Sequence, residues 1–200
     1  MKGTMHTLLA TPVRVFRVAR NLLIDLRFGK ALGGIYLTKR WSGNSDYYVL
    51  SRIFQQITVQ ESDVLVDVGC GRGRVINWWL SHFPRNVVVG IEVDKDIARQ
   101  AQKRLRKYKN VTVISGDAIE SIPEDGTIFY LYNPFEAEMV EAFKDRLASL
   151  FDPSHGILLL YYNCKHLSVF EDDPRWRVET VDLGGSRSAP FSQLGVVSMV

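Results

Sequence analysis

The sequence predicts an α/β protein: a doubly wound, mostly parallel sheet of seven strands that closes in a C-terminal antiparallel hairpin. Three observations lead there. An apolar, β-branched run over 64–68 ends in glycines at alternate positions, Gly69, Gly71 and Gly73, and gives way to a helical pattern. Further apolar runs over 86–92, 110–114, 127–132 and 156–162 alternate with helical stretches, as in repeated βα units. Two β-rich runs, 176–183 and 194–200, then flank Gly184-Gly185 and Pro190, where a hairpin is expected.

Length and composition set the frame. Two hundred residues fit one domain with an extension, divided here as 1–45 and 46–200. An apolar fraction of 46% and a charged fraction of 24% are ordinary for a globular chain. Two cysteines, Cys70 and Cys164, exclude a disulfide scaffold and fit a reducing compartment, the cytoplasm. No apolar run reaches the roughly 18–20 residues of a membrane span, and no unbroken apolar stretch at the N-terminus marks a signal peptide. No residue is assigned to a metal. Net charge is +3 but unevenly spread: residues 1–52 hold nine Lys and Arg against two Asp and Glu, and the remainder sixteen against twenty.

The basic quarter contains the first helix, predicted over 12–28. At 100° per residue Val15, Phe16, Val18, Ala19, Leu22, Leu23 and Leu26 share one face, and Arg14, Arg17, Arg20 and Arg27 share the other. The plain expectation is that the apolar face docks on the domain and the arginines stay in water. Such a helix could also associate weakly with an anionic membrane or with nucleic acid. Residues 29–45 read as loop. Asn44 or Ser45 can cap a second helix over 46–57.

Val64 to Val68 is then a strand buried on both faces, with Asp67 two places before the first glycine. Strand, glycine turn and helix together point backbone N–H groups at a ligand. A dinucleotide fingerprint needs its third glycine at position 74, which is Arg74, and a phosphate P-loop needs a Lys after Gly73. The pattern that stands here, Asp67-x-Gly69-Cys70-Gly71-x-Gly73, resembles the first motif of the class I (Rossmann-like) S-adenosylmethionine (SAM)-dependent methyltransferases, in a small single-domain form. Cys70 matters there for its small size more than for its thiol. The segment Asp25-Leu26-Arg27-Phe28-Gly29 followed by Gly33-Gly34 is loosely similar to the pre-domain segment of small bacterial members. The resemblance implies that the helix before the first strand flanks the SAM pocket, where Trp41, Tyr47 and Tyr48 could line it. Core packing is an equal alternative for each.

The later elements carry the rest of the resemblance. Residues 75–80 continue as a helix. The second strand ends in Glu92, about 20 residues past the glycine turn, where a carboxylate can accept hydrogen bonds from ribose hydroxyls. The helix over 94–108 turns Ile97, Ala101 and Leu105 inward and a basic face to solvent. The third strand runs into Gly116-Asp117-Ala118, similar to the family's adenine-contact motif; Asp117 would take the exocyclic amine and the Ala118 N–H a ring nitrogen. The fourth ends in Asn133-Pro134-Phe135, a shortened form of [DN]-P-P-[FYW] that lacks the second proline. In amino-methylating members the Asn oxygen orients a target nitrogen and the aromatic stacks on a planar substrate. A helix over 136–150 and a fifth strand follow, with Lys165 and His166 just beyond.

The resemblance covers about 46–200. It implies a SAM-dependent methyltransferase acting on a nitrogen nucleophile in a protein side chain, a small amine or a base, with S-adenosylhomocysteine (SAH) as product. Asn133, Pro134 and Phe135 would form the catalytic set, and Asp67, Gly69, Cys70, Gly71, Gly73, Glu92, Asp117, Ala118 and Asn133 the cofactor site. A nucleotide-binding oxidoreductase and a non-catalytic SAM-binding module are the alternatives. The methyl acceptor is not legible.

Overall fold

The computed structural model describes residues 12–30, 32, 44–132, 135–184 and 193–200. Trp41, Asn133, Pro134 and the hairpin turn expected around Gly185 and Pro190 lie outside them. The elements run α1 (Pro12–Arg27), α2 (Tyr47–Ile53), β1 (Val64–Val68), α3 (Arg74–His82), β2 (Val87–Glu92), α4 (Lys95–Leu105), β3 (Val111–Ser115), β4 (Ile128–Tyr132), α5 (Ala137–Leu150), β5 (Leu158–Tyr162), α6 (Ser168–Glu171), β6 (Trp176–Asp182) and β7 (Gln193–Met199). One seven-stranded sheet has the order β3-β2-β1-β4-β5-β7-β6. β1 to β5 are parallel; β7 pairs antiparallel with both β5 and β6. The expected fold class is the observed one.

Alternation along β1 splits the core between the two faces of the sheet. Leu65 packs with Ile76, Trp79 and Ala98 under α3 and α4. Val64, Val66 and Val68 pack with Phe129, Phe143 and Leu147 under α5. Every side chain of β1 is buried, as a central parallel strand requires. β1 lies between β2 and β4, which the chain reaches in opposite directions, so a crevice opens beyond its carboxyl end.

Three local expectations need correction. α2 is capped by Asp46, whose carboxylate accepts the Tyr48 N–H at 2.8 Å, and not by Asn44 or Ser45. The Ser45 hydroxyl is committed to the Tyr130 hydroxyl, 2.7 Å away. α2 also stops at Ile53, short of 57. In α4, Ala98 replaces Ile97 among the fully buried positions.

The largest correction concerns α1, which docks the opposite way from the plain expectation. Its apolar stripe faces out: Phe16 is 68% and Leu23 69% exposed, and Val15, Val18, Leu22 and Leu26 are exposed with them. Its polar stripe faces in. Arg17 pairs with Asp46 at 2.9 Å and lies 4.6 Å over the Tyr48 ring. Asn21 Oδ1 accepts the Tyr47 N–H. Asp25, 1% exposed, accepts Arg74 Nη2 at 2.6 Å, Arg74 Nε at 3.2 Å, the Tyr47 hydroxyl at 2.8 Å and the Leu32 N–H at 3.2 Å. The reason is electrostatic. Arg74 is buried on α3 and would be left without its carboxylate if α1 rolled over. Breaking such a pair costs about 3–5 kcal/mol.

Candidate active site at the carboxyl edge of the sheet

Parallel pairing brings the carboxyl ends of β1 to β5 to one edge, where the chain leaves through 69–73, 93–94, 116–117 and 163–166 and where β4 ends at Tyr132. The glycine turn is left-handed at all three glycines, with φ of 74° at Gly69, 53° at Gly71 and 79° at Gly73. Their roles differ. A Cβ on Gly73 would lie 2.9 Å from Arg104 Nη2 and 3.2 Å from Leu105, so its absence lets the turn seat on α4. A Cβ on Gly71 would meet no protein atom within 4 Å, so here the bare backbone faces open space. Cys70 is a space-filler: its sulfur lies 2.8 Å from where a Cβ on Gly90 would be. Burial, then the charge of Asp67, pushes its thiol up and keeps it protonated.

The expected free N–H groups are not free. Those of Gly69 and Cys70 donate to the Ile91 carbonyl at 2.9 and 2.8 Å, and that of Gly73 to Cys70. The Gly71 N–H donates to Glu92 Oε2 at 2.8 Å, while Glu92 Oε1 accepts the Asp94 N–H at 2.9 Å. A pyrophosphate would find these donors spent and a carboxylate beside it. That is a physical reason, beyond Arg74, against the oxidoreductase alternative.

The edge is acidic. Asp67 is 2% exposed, and its Oδ2 has no hydrogen-bond partner among the described residues. Burial first, and then the charge of Glu92, holds its carboxyl well above the usual range. A cationic ligand beside the two would offset both effects and draw the Asp67 carboxyl towards its charged form.

The other expected site residues are placed as follows. Asp117 follows β3; its Oδ1 accepts the Ile119 N–H at 2.8 Å, closing a turn, and Ala118 is buried. Phe135 is half-buried, its ring 5.7 Å from that of Phe143 on α5. Asn133 and Pro134, outside the described residues, connect β4 to Phe135. Tyr47 is a core residue bound to Asp25, and Tyr48 carries Arg17 on its ring. Lys165 is exposed; His166 Nε2 lies 4.0 Å from Glu136 Oε2.

Two features had no sequence signal. Tyr132 and Tyr162 end β4 and β5 in register, ring centroids 4.9 Å apart. Arg104 read as part of the solvated face of α4. Its guanidinium instead donates to the carbonyls of Arg72 at 2.7 Å, Gly73 at 3.3 Å and Phe28 at 3.2 Å, and to Asn77 Oδ1 at 2.7 Å. It joins the glycine turn to the end of α1.

A family model described as a methyltransferase domain matches residues 65–153, from β1 to the turn after α5. An RNA methyltransferase from Salinibacter ruber, solved with S-adenosyl-L-homocysteine, is 25% identical; the match covers 78% of this chain and 93% of that one at a TM-score of 0.60. Residues 65–153 thus match a methyltransferase domain, and the fold is that of the class I SAM-dependent methyltransferases. The fold of this domain is shared with a SAM-dependent methyltransferase from Aquifex aeolicus, 17% identical, covering 75% of this chain and 88% of that one at a TM-score of 0.58. In sequence it is similar to ribosomal RNA small subunit methyltransferase A of Coxiella burnetii, 33% identical over 75 residues, 38% of this chain and 28% of that protein. The corresponding protein of Caldanaerobacter subterraneus is 32% identical over 84 residues, 41% of this chain and 31% of that protein. The chain thus spans less than a third of the length of these curated relatives. The cofactor that goes with a methyltransferase domain of this class is SAM, and the site fits it. The open backbone at Gly71 leaves room, and Asp67 and Glu92 suit a ligand bearing an ammonium, a sulfonium and a ribose. No helix among the described residues is long and apolar enough to cross a membrane.

Proposed function

We propose that the chain transfers the methyl group of SAM to a nitrogen nucleophile, with 46–200 as the catalytic domain. When bound, SAM supplies an electrophilic methyl on a sulfonium, open to in-line attack by a lone pair. The observation that carries the reading is the pair of carboxylates, Asp67 orphaned and Glu92 bridging the turn, beside the open backbone of Gly71. In this reading Gly69, Cys70, Gly71 and Gly73 shape the bed, Glu92 takes the ribose hydroxyls, Asp67 faces the cationic end, and Asp117 and Ala118 contact the adenine. Asn133 accepts a hydrogen bond from the incoming nitrogen, and Phe135, with the Tyr132–Tyr162 pair, supplies aromatic surface for the acceptor. Catalysis would be chiefly positioning. The RNA methyltransferases it resembles make an RNA base one candidate acceptor, beside a protein side chain or a small amine. Buried free thiols at Cys70 and Cys164 fit a reducing cytoplasm.

Two measurements test this. Calorimetry should show SAM and SAH binding and no binding of NADH; preference for NADH would sink the reading. Methyl-tritiated SAM, incubated with the protein and a lysate, should label one nitrogen-bearing fraction. Binding without labelling of RNA, protein or small amines would leave a non-catalytic module.

Glu92 gives a sharper result. Glu92→Ala should lower SAH affinity by about 1.5–3 kcal/mol, roughly 10- to 150-fold, because hydrogen bonds to a charged acceptor are lost. Glu92→Gln should cost less, since its amide oxygen still accepts while its NH2 opposes a second donor. An unchanged dissociation constant for the alanine variant would leave Glu92 as a brace for the turn alone.

A further inference from the structure

α1 presents water with the wrong side for a soluble helix. Val15, Phe16, Val18, Ala19, Leu22, Leu23 and Leu26 form one unbroken outward stripe, about 17 Å long from Val15 to Leu26 at ~1.5 Å per residue. The helix cannot roll to hide it, because Arg17, Asn21 and Asp25 are fastened to Asp46, Tyr47 and Arg74 on the inner side. Contiguous exposed apolar surface of this kind marks a contact site.

Charge identifies the occupant. Arg20 and Arg27 follow one margin of the stripe, beside Phe16 and Leu23; Arg27 and Lys30 are exposed. The first 52 residues carry nine basic side chains against two acidic. We propose that α1 lies in the interface of an anionic lipid bilayer, its apolar stripe among the acyl chains and its flanking arginines at the headgroups. A helix lying in the bilayer plane sinks its apolar face about 5–10 Å, and arginines at the margin snorkel to lipid phosphates. A second copy is disfavoured, since joining two stripes would bring two strongly basic segments together. Nucleic acid is disfavoured because the mid-helix Arg17 is turned inward and phosphates gain nothing from Phe16 or Leu23. The inference stands apart from the identity of the methyl acceptor.

The test is co-sedimentation of the full chain with phosphatidylcholine vesicles, with and without phosphatidylglycerol. The protein should pellet with the anionic vesicles and be released by salt. The double variant Phe16→Asp/Leu23→Asp should weaken binding roughly tenfold or more. Its thermal midpoint should be unchanged, since both side chains are already in water. Arg20→Gln/Arg27→Gln should remove only the part that depends on phosphatidylglycerol. Failure of the parent chain to bind anionic vesicles at low salt overturns the proposal. So does binding that the double aspartate variant leaves intact. A concentration-dependent dimer that this variant dissolves, or an RNA gel shift that it abolishes, without vesicle binding, would assign the stripe to a second copy or to RNA instead.

Discussion

Asp25→Ala should lower the unfolding free energy by about 3–5 kcal/mol, because it takes from the buried Arg74 the carboxylate that grips its guanidinium twice. At about 2–4 °C of midpoint per kcal/mol for a chain of this size, the thermal transition should fall by roughly 6–20 °C. The loss reaches beyond one ion pair. Asp25 also accepts the Tyr47 hydroxyl, which in turn accepts Asn77 Nδ2 at 3.2 Å, and Asn77 Oδ1 takes Arg104. Burial, with Asp25 beside it, raises the Tyr47 phenol and keeps it a donor. The paired variant Asp25→Ala/Arg74→Met should recover a large part of the loss, since no orphaned charge remains. Chemical denaturation of the two single variants and the pair would measure this. A loss below about 1 kcal/mol for Asp25→Ala would mean that α1 is held by other contacts.

Asn133→Ala should lower kcat by roughly 10²–10³, the usual cost of removing one preorganised polar group from a reacting centre. SAH affinity should stay within about threefold if, as proposed, Asn133 meets the incoming nitrogen most fully in the transition state. Asn133→Asp should keep part of the activity, having the same oxygen at the same reach. The measurement is steady-state kinetics on the acceptor found by labelling, with calorimetry beside it. Equal losses in kcat and in SAH affinity would make Asn133 a cofactor contact without a part in the chemistry.

What could be read in advance follows from the range of each physical cause. The glycine turn was legible because positive φ at Gly69, Gly71 and Gly73 is a local demand that other side chains meet poorly. The strand ends were legible because β1 to β5 read as apolar runs bounded by turn residues. Glu92 and Asp67 followed from their distance to that turn. That the turn's own N–H groups would be spent on Ile91 and Glu92 was not legible, because it depends on how closely β2 approaches. The orientation of α1 was not legible either. Periodicity says which residues share a face; it does not say which face turns inward. That was decided by Arg74, 49 positions from Asp25 in the chain. Arg104 escaped for the same reason, since its partners Phe28, Arg72 and Asn77 come from just past α1, the turn and α3.

The Arg104 guanidinium has a thermodynamic consequence. It grips the backbone of the glycine turn with one nitrogen and the backbone at the foot of α1 with another, and burial already depresses its basicity. Two separate parts of the molecule therefore draw on one set of hydrogen bonds. If a ligand that settles the turn makes that grip more favourable, it stiffens the footing of α1. Anything that immobilises α1 then returns the same free energy to the turn. Linkage makes the two effects equal in size: the factor by which SAH improves attachment through α1 must be the factor by which attachment improves SAH binding. Arg104→Lys, with a single ammonium in place of the fork, should uncouple the two while leaving each occupant its own contacts.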